Sequence, residues 1–190
     1  QQNAVISDLS KRVLALEEEV KALKQDVDDG EQYSRRQCLR LTGVPGKPGE
    51  TAEDCLITVA NIFKEAGVTV PEVALDRAHR IGRPSGKPRP IIVRFVTWRH
   101  RSSVYRARKR IQQQSGCSVQ VDLTKKRLDL LTQVRKLCER VPEAEFAFAD
   151  VNCTLGIKMR AAGIRHFNTL QGALRILGLE EEDAVEASAK

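Results

Sequence analysis

Ile6, Leu9, Val13, Leu16, Val20, Leu23 and Val27 recur at alternating intervals of three and four residues, and no other pattern in the chain restricts its fold as tightly. Apolar residues at that spacing make a stripe too narrow to line a globular core but of the right width for a coiled-coil seam. Ile6, Val13, Val20 and Val27 take the a positions, and Leu9, Leu16 and Leu23 take d. The flanking charges fit a parallel arrangement, because Arg12 at g faces Glu17 at e of a neighbour and Glu19 faces Lys24.

Strand number follows from two signals that disagree. β-Branched a positions with Leu at d favour dimers in simple designs. Arg12, Val13, Leu16 and Glu17, however, fit an Arg-h-x-x-h-Glu pattern (h for apolar) that resembles a trimer-specifying signature, so a homotrimer is expected ahead of a dimer. The seam covers about 33 Å of helix and is expected to end at Asp28, Asp29 and Gly30, as the tail of a longer rod or a fragment.

Charge is just as unevenly placed. Between Arg77 and Val121 lie twelve Lys and Arg residues and no Asp or Glu, whereas the rest of the chain has twenty basic against twenty-five acidic residues. The net charge of +7 therefore comes from one stretch, which is the footprint of a polyanion-binding surface rather than of an ordinary solvated face, where both signs interleave. The longest apolar runs, such as Ile91, Ile92 and Val93, are too short for a membrane span, and the N-terminus lacks the apolar core of a secretory signal. Cys38, Cys55, Cys117, Cys138 and Cys153 form no Cys-x-x-Cys pair, so reduced core thiols are expected rather than disulfides or a zinc knuckle. No cofactor or metal is expected.

From residue 33 the chain reads as β-α-β-β-α-β. Cys38 to Val44 is a strand; Thr51 with Asp54 opens a helix whose inner face carries Leu56, Val59, Ala60 and Phe63, and Gly67 stops it. Val73 to Ile81 is a second strand. Arg83, Pro84, Ser85, Gly86, Lys87, Pro88, Arg89 and Pro90 form a basic finger leading into the strand Ile91 to Val96. One helix is expected over Trp98 to Gln113, and Val119 with Val121 closes the sheet. Strand alternation puts Leu39 and Leu41 on one face and Arg40 on the other, and likewise opposes Ile91, Val93 and Phe95 to Ile92 and Arg94. Arg40 and Arg94 are thus expected on a sheet face left open by the helices.

The remaining segment predicts a smaller α+β unit. Thr124 caps a helix with Leu128, Leu131, Val134, Leu137 and Val141; a strand follows around Phe146 and Phe148, then a hairpin from Thr154 to Phe167, and a helix with Leu170, Leu174 and Leu177 stopped by Gly178. The fold class is α+β, divided into a coiled-coil segment (1–32), a ferredoxin-like or RNA-recognition-type sandwich (33–122), a small α+β domain (123–179) that leans on it, and a frayed acidic tail (180–190).

Catalysis is not expected. His79, His100 and His166 are scattered, and no Gly-x-Ser-x-Gly, His-Glu-x-x-His or phosphate-loop motif occurs. Glu145 and Asp150 read as strand-edge and turn residues rather than a metal pair.

Three runs together are specific: Tyr33-Ser-Arg-Arg-Gln-Cys-Leu-Arg-Leu-Thr-Gly-Val-Pro45, Asp76-Arg-Ala-His-Arg-Ile-Gly-Arg83 and Lys87-Pro-Arg-Pro-Ile-Ile-Val-Arg-Phe95. They resemble the first open-reading-frame protein of LINE-type, non-LTR retrotransposons, and the order of parts over nearly the whole chain does too. That resemblance implies a trimeric coiled coil, a variant RNA-recognition-motif domain and a small C-terminal domain. It further implies a single-stranded RNA-binding nucleic-acid chaperone, also taking single-stranded DNA, in a cytoplasmic and partly nuclear ribonucleoprotein. The element's reverse transcriptase would then be an indirect partner, and no membrane is involved. Carried over residue by residue, the candidate RNA contacts are Arg36 and Arg40 from the first run, Arg77, Arg80 and Arg83 from the second and Arg94 from the third, with Arg106 and Arg127 as further candidates; Lys87 and Arg89 of the basic finger and Lys109 complete the expected set.

The third strand lacks the Gly-Phe-Gly-Phe-type signature of RNA-recognition domains. With aromatics at 4%, phosphate contacts rather than stacking are expected to dominate, making binding tolerant of sequence and steeply salt dependent. The competing reading is a duplex-DNA-binding or scaffolding protein whose coiled coil gathers basic heads, including a domesticated regulatory copy of such an element.

Overall fold

A computed structural model describes residues 2–84, 86 and 88–188. The chain forms two compact units, Gln1–Ser34 and Arg35–Lys190.

The first unit is one helix, α1 (Gln2–Ser34). Every member of the apolar stripe faces solvent in the single chain, from Val20 at 46% to Val27 at 70% exposure. The helix also runs through Asp28, Asp29 and Gly30, where an end was expected. An interior Gly costs only about 1 kcal/mol in a helix, and local bonds oppose it: Gln25 Nε2 donates to Asp29 Oδ1 (3.1 Å), and Ser34 Oγ donates to the Glu31 carbonyl (2.7 Å) at the actual end.

The second unit opens with a four-stranded antiparallel sheet, sheet A. Its strands are β1 (Cys38–Thr42), β2 (Leu75–Arg80), β3 (Ile91–Phe95) and β4 (Ser118–Val121), in the order β2-β3-β1-β4. Helix α2 (Ala52–Glu65) joins β1 to β2, and α3 (Trp98–Arg106) with α4 (Arg108–Ser115) joins β3 to β4. This is the strand order that a split β-α-β arrangement requires. Leu39, Leu41, Ile91, Val93 and Phe95 are fully buried beneath Val59 and Phe63 of α2, with the Phe63 and Phe95 rings 6.2 Å apart.

Local signals start and stop α2 as read. Thr51 and Asp54 form a complete capping box, and Gly67 in the left-handed region (φ 65°) lets Val68 N–H reach back to the Phe63 carbonyl at 2.8 Å.

Two further elements, around sheet A, differ from expectation. Glu72–Ala74 is a 3₁₀ turn, so β2 begins at Leu75 rather than Val73; Pro71 precedes it and its carbonyl accepts from Ala74 N–H at 2.9 Å. The helix expected over Trp98 to Gln113 is broken at Ala107 (ψ 3°), a backbone angle that leaves the α ladder. The guanidinium of Arg108 folds back across the break, 4.5 Å from the Tyr105 ring centroid, and donates to the Tyr105 carbonyl at 3.1 Å.

Helix α5 (Lys125–Cys138) starts at Thr124, whose hydroxyl accepts from Arg127 N–H. It packs on sheet B, an antiparallel meander of β5 (Ala144–Ala149), β6 (Leu155–Met159) and β7 (Gly163–Phe167). Helix α6 (Leu170–Leu177) ends at Gly178 in the left-handed region. The tail read as frayed contains α7 (Glu181–Ser188), whose first turn holds Glu181, Glu182 and Asp183. Acidic side chains there complement the helix dipole, and Asp183 Oδ2 accepts from Glu180 N–H at 2.9 Å.

One hydrophobic cluster runs through both sheets. Arg101, fully buried, bridges them: Nε donates to the Cys38 carbonyl at 3.3 Å, Nη1 to the Val151 carbonyl, and Nη2 lies 3.7 Å from Cys153 Sγ. Burial pushes the Arg101 pKa down, and the Cys153 thiol opposes that shift. Tyr105 adds a second bridge, its hydroxyl donating to the Ala149 carbonyl at 2.7 Å. No helix among the described residues is long and apolar enough to cross a membrane.

Candidate nucleic-acid interface

Because the helices cover only one side of sheet A, alternate residues of its strands form an open face. Register lines them up in rows. Gln120, Arg40, Ile92 and His79 make one row across β4, β1, β3 and β2; Cys38, Arg94 and Arg77 make the next.

The second row depends on a bulge. Leu75 opposes Phe95, but Arg77 opposes Arg94, so Asp76 is the extra residue in β2. Without it Asp76 would face Arg94 and the pair would be neutral. The bulge instead puts two arginines directly across from one another, and like charges in that cross-strand position are destabilising by themselves. Asp76 relieves it only weakly, lying 3.4 Å from Arg94 Nε with both side chains nearly half exposed. A surface pair of that kind is worth about 0–1 kcal/mol.

At the β4 end the charges are held differently. Asp122, with a side chain 1% exposed, accepts from Arg40 Nη2 at 2.6 Å and from Arg35 Nη1 at 3.0 Å. Arg40 Nε is buried and finds no hydrogen-bond partner among the described residues. A buried donor left unmade costs about 1–3 kcal/mol. Neighbouring Cys38 is a buried thiol whose pKa is pushed up first by burial and then by Asp122, against the opposing pull of Arg94, Arg77 and Arg35. Taken together the open face presents four arginines against two aspartates.

The structure brings only part of the predicted set together. Arg40, Arg77 and Arg94 share the open face; Arg36 is exposed just before β1. Arg83 and Arg89 are exposed in the β2–β3 finger, whose base is closed by Ile81 N–H donating to the Pro90 carbonyl at 2.9 Å. Lys87 lies outside the described residues. Arg106 and Lys109 are exposed on α3 and α4, which pack on the covered side of the sheet, so they are not part of the rows. Arg127 sits in the first turn of α5, half-buried.

Arg80 is the clear exception. It is an odd number of residues from Arg77 and so turns to the covered side, where its side chain is only 5% exposed. Nε and Nη2 clamp the Glu50 carboxylate at 2.6 and 3.1 Å, Nη1 donates to the Val44 and Arg89 carbonyls, and Nη2 also donates to the Pro45 carbonyl. With its donors spent inside the protein, Arg80 ties the finger to the β1–α2 loop. The Arg80 hydrogen bonds in turn hold the Glu50 carboxyl below the usual carboxylate range.

Arg35, Asp122 and Arg101 had no place in the sequence-derived set. Asp122 is the first acidic residue after the basic stretch, the one local hint of its role. Among the described residues no group of three or more His, Cys, Asp and Glu side chains could hold a metal ion. No protein-family model matches this chain, and no curated protein matches it.

Proposed function

We propose that the chain is an oligomeric single-strand nucleic-acid-binding protein of the LINE-type first-open-reading-frame class, with RNA as its ligand and chaperone activity on it. In this reading α1 is one strand of a parallel coiled coil, sheet A with its helices is an RNA-recognition-type domain, and the chain binds rather than catalyses. The observation that carries it is the bulge at Asp76, which sets Arg77 against Arg94 on a sheet face beside the unmatched Arg40 Nε. Like charges set across from one another without a buried counter-ion favour an anionic ligand. The half-exposed stripe of α1 supports self-association, and joined heads hold one strand far more tightly than a single head.

The test is affinity for single-stranded RNA, single-stranded DNA and duplex DNA at matched salt. Single strands should bind more tightly, with log affinity falling by about 0.7 per neutralised phosphate for each unit of log salt concentration. Duplex binding equal to or tighter than single-strand binding would overturn this reading in favour of a duplex-binding scaffold.

A further inference from the structure

Sheet B also has an open face, and its chemistry is the opposite of sheet A's. Ala144 opposes Met159, but Phe146 opposes Lys158, so Glu145 is a bulge that changes the phase of β5. Without it Phe146 would oppose Ile157 and turn into the core. With it Ala147 is buried against Ile157, while Phe146 is 50% exposed and shares the outer face with Phe148. A strand that buries Ala144 and Ala147 and leaves Phe146 half exposed gives up burial for something else.

The outer face is built around the two rings. Their centroids are 5.8 Å apart at 61°. Gly156 lies opposite Phe148, and a Cβ there would come within 3.0 Å of Phe148 Cζ, so the ring lies over a position without a side chain. Lys158 Nζ lies 5.9 Å from the Phe146 centroid and pairs with Glu145 at 2.6 Å.

Phe146 and Phe148 line a cleft of about 530 Å³ that reaches the β4 edge of sheet A, with Arg106, Arg108 and Arg135 also on its wall. Two of these cations are held in place. Arg108 is stacked over Tyr105, and Arg135 Nε donates to the Ala147 carbonyl at 3.1 Å. The lining carboxylate, Asp150, has Oδ1 engaged by the N–H groups of Asn152 and Thr154, both at 2.8 Å. A half-exposed Phe146 ring and a partly buried Phe148 ring, beside guanidiniums held in place, suit a ligand that joins flat apolar surfaces to anionic links, which is an unpaired base on its phosphate.

We infer that Phe146 and Phe148 form a base-stacking subsite for single-stranded nucleic acid, with Arg106 and Arg108 on the adjoining phosphates. The subsite rests on the single-strand reading and gives it a means of discrimination: duplex bases are already stacked, whereas splayed ones can lie on a ring.

The experiment compares an oligothymidylate with an abasic deoxyribose-phosphate strand of equal length, bound to the full chain at matched salt. Wild type should favour the strand with bases by about tenfold, the lower range of one stacked base. Phe146→Leu, which keeps apolar contact without a ring, should reduce that ratio towards one with the salt slope unchanged, and Phe146→Trp should keep it. A wild-type ratio of one, or a ratio unaffected by Phe146→Leu, overturns the subsite while leaving phosphate binding intact. If neither strand binds, the single-strand reading itself fails, and the subsite with it.

Discussion

The two sheets solve opposite problems with the same device. In sheet A a bulge in β2 brings Arg77 across from Arg94, and in sheet B a bulge in β5 turns Phe146 outward. Each displaces a side chain from where plain alternation would neutralise or bury it. The results differ in range: guanidiniums on sheet A attract phosphates over about a Debye length and weaken with salt, whereas rings on sheet B act only in contact and are largely indifferent to salt. On the proposed function, a chain that holds a strand while letting it rearrange gains from having both.

On the proposed coiled-coil reading several heads act together and blunt the comparison, so the largest effect comes from separating them. Replacing Leu16 and Leu23 with Asn puts polar groups at two d positions of the stripe, and the chain should become monomeric by light scattering. Binding to a long single strand should then fall on the order of 10²-fold or more, because effective concentration is lost with the assembly. A mass unchanged by the substitutions would remove α1 as the means of association.

Arg80 tests whether the basic run may be read as a simple sum of ligand contacts. Arg80→Leu strands the Glu50 carboxylate, whose side chain is 6% exposed, and should cost about 3–5 kcal/mol in denaturant unfolding. The sign with pH follows from Glu50. Its folded pKa is depressed by Arg80, so the stability it contributes is present above the unfolded carboxylate pKa and is lost as pH falls through the folded value. The gap between wild type and Arg80→Leu should therefore be widest near neutrality and narrow in acid. A gap that widens in acid would refute the clamp.

Arg80, engaged inside the protein rather than on the open face, shows what the sequence could and could not convey. Local instructions were legible: the Thr51 and Asp54 box, the stops at Gly67 and Gly178, and the alternation of Ile91, Val93 and Phe95 all specify their own geometry within a few residues. Alternation also separates Arg77 from Arg80, but a shared basic motif had grouped them. The Asp122 node was not legible, because it joins Arg35 and Arg40 to a residue more than eighty positions away. Nor were the bulges, since an extra residue is defined only against a partner strand, and they decide both open faces. Phe146 and Phe148 were read as a strand but lay outside the charged stretch that drew the functional reading.

The sharper test of sheet A itself is the double substitution Arg77→Ala and Arg94→Ala. Affinity for single strands should drop by about tenfold and the salt slope by about 1.4, the share of two phosphates. Stability should stay level or rise slightly, because a like-charged cross-strand pair is removed. A clear loss of melting temperature would mean that these arginines serve the fold.

Gly156→Ala should give the smallest effect and the most selective one. The backbone there would accept alanine, but the new Cβ would sit 3.0 and 3.2 Å from Phe148 Cζ and Cε1. The ring can tilt only towards Phe146, 5.8 Å away, or out into the cleft. Overpacking of this kind costs about 1 kcal/mol when an exposed ring can move, so denaturation should shift little. Binding of the abasic strand should be unchanged, since the guanidiniums on α3 and α4 are untouched, whereas preference for bases over the abasic strand should weaken two- to threefold, on the order of half a stacking contact. Equal losses for both strands would mean that the two open faces are mechanically coupled and act as a single surface, and the division between a salt-sensitive grip and a contact-range stack would have to be given up.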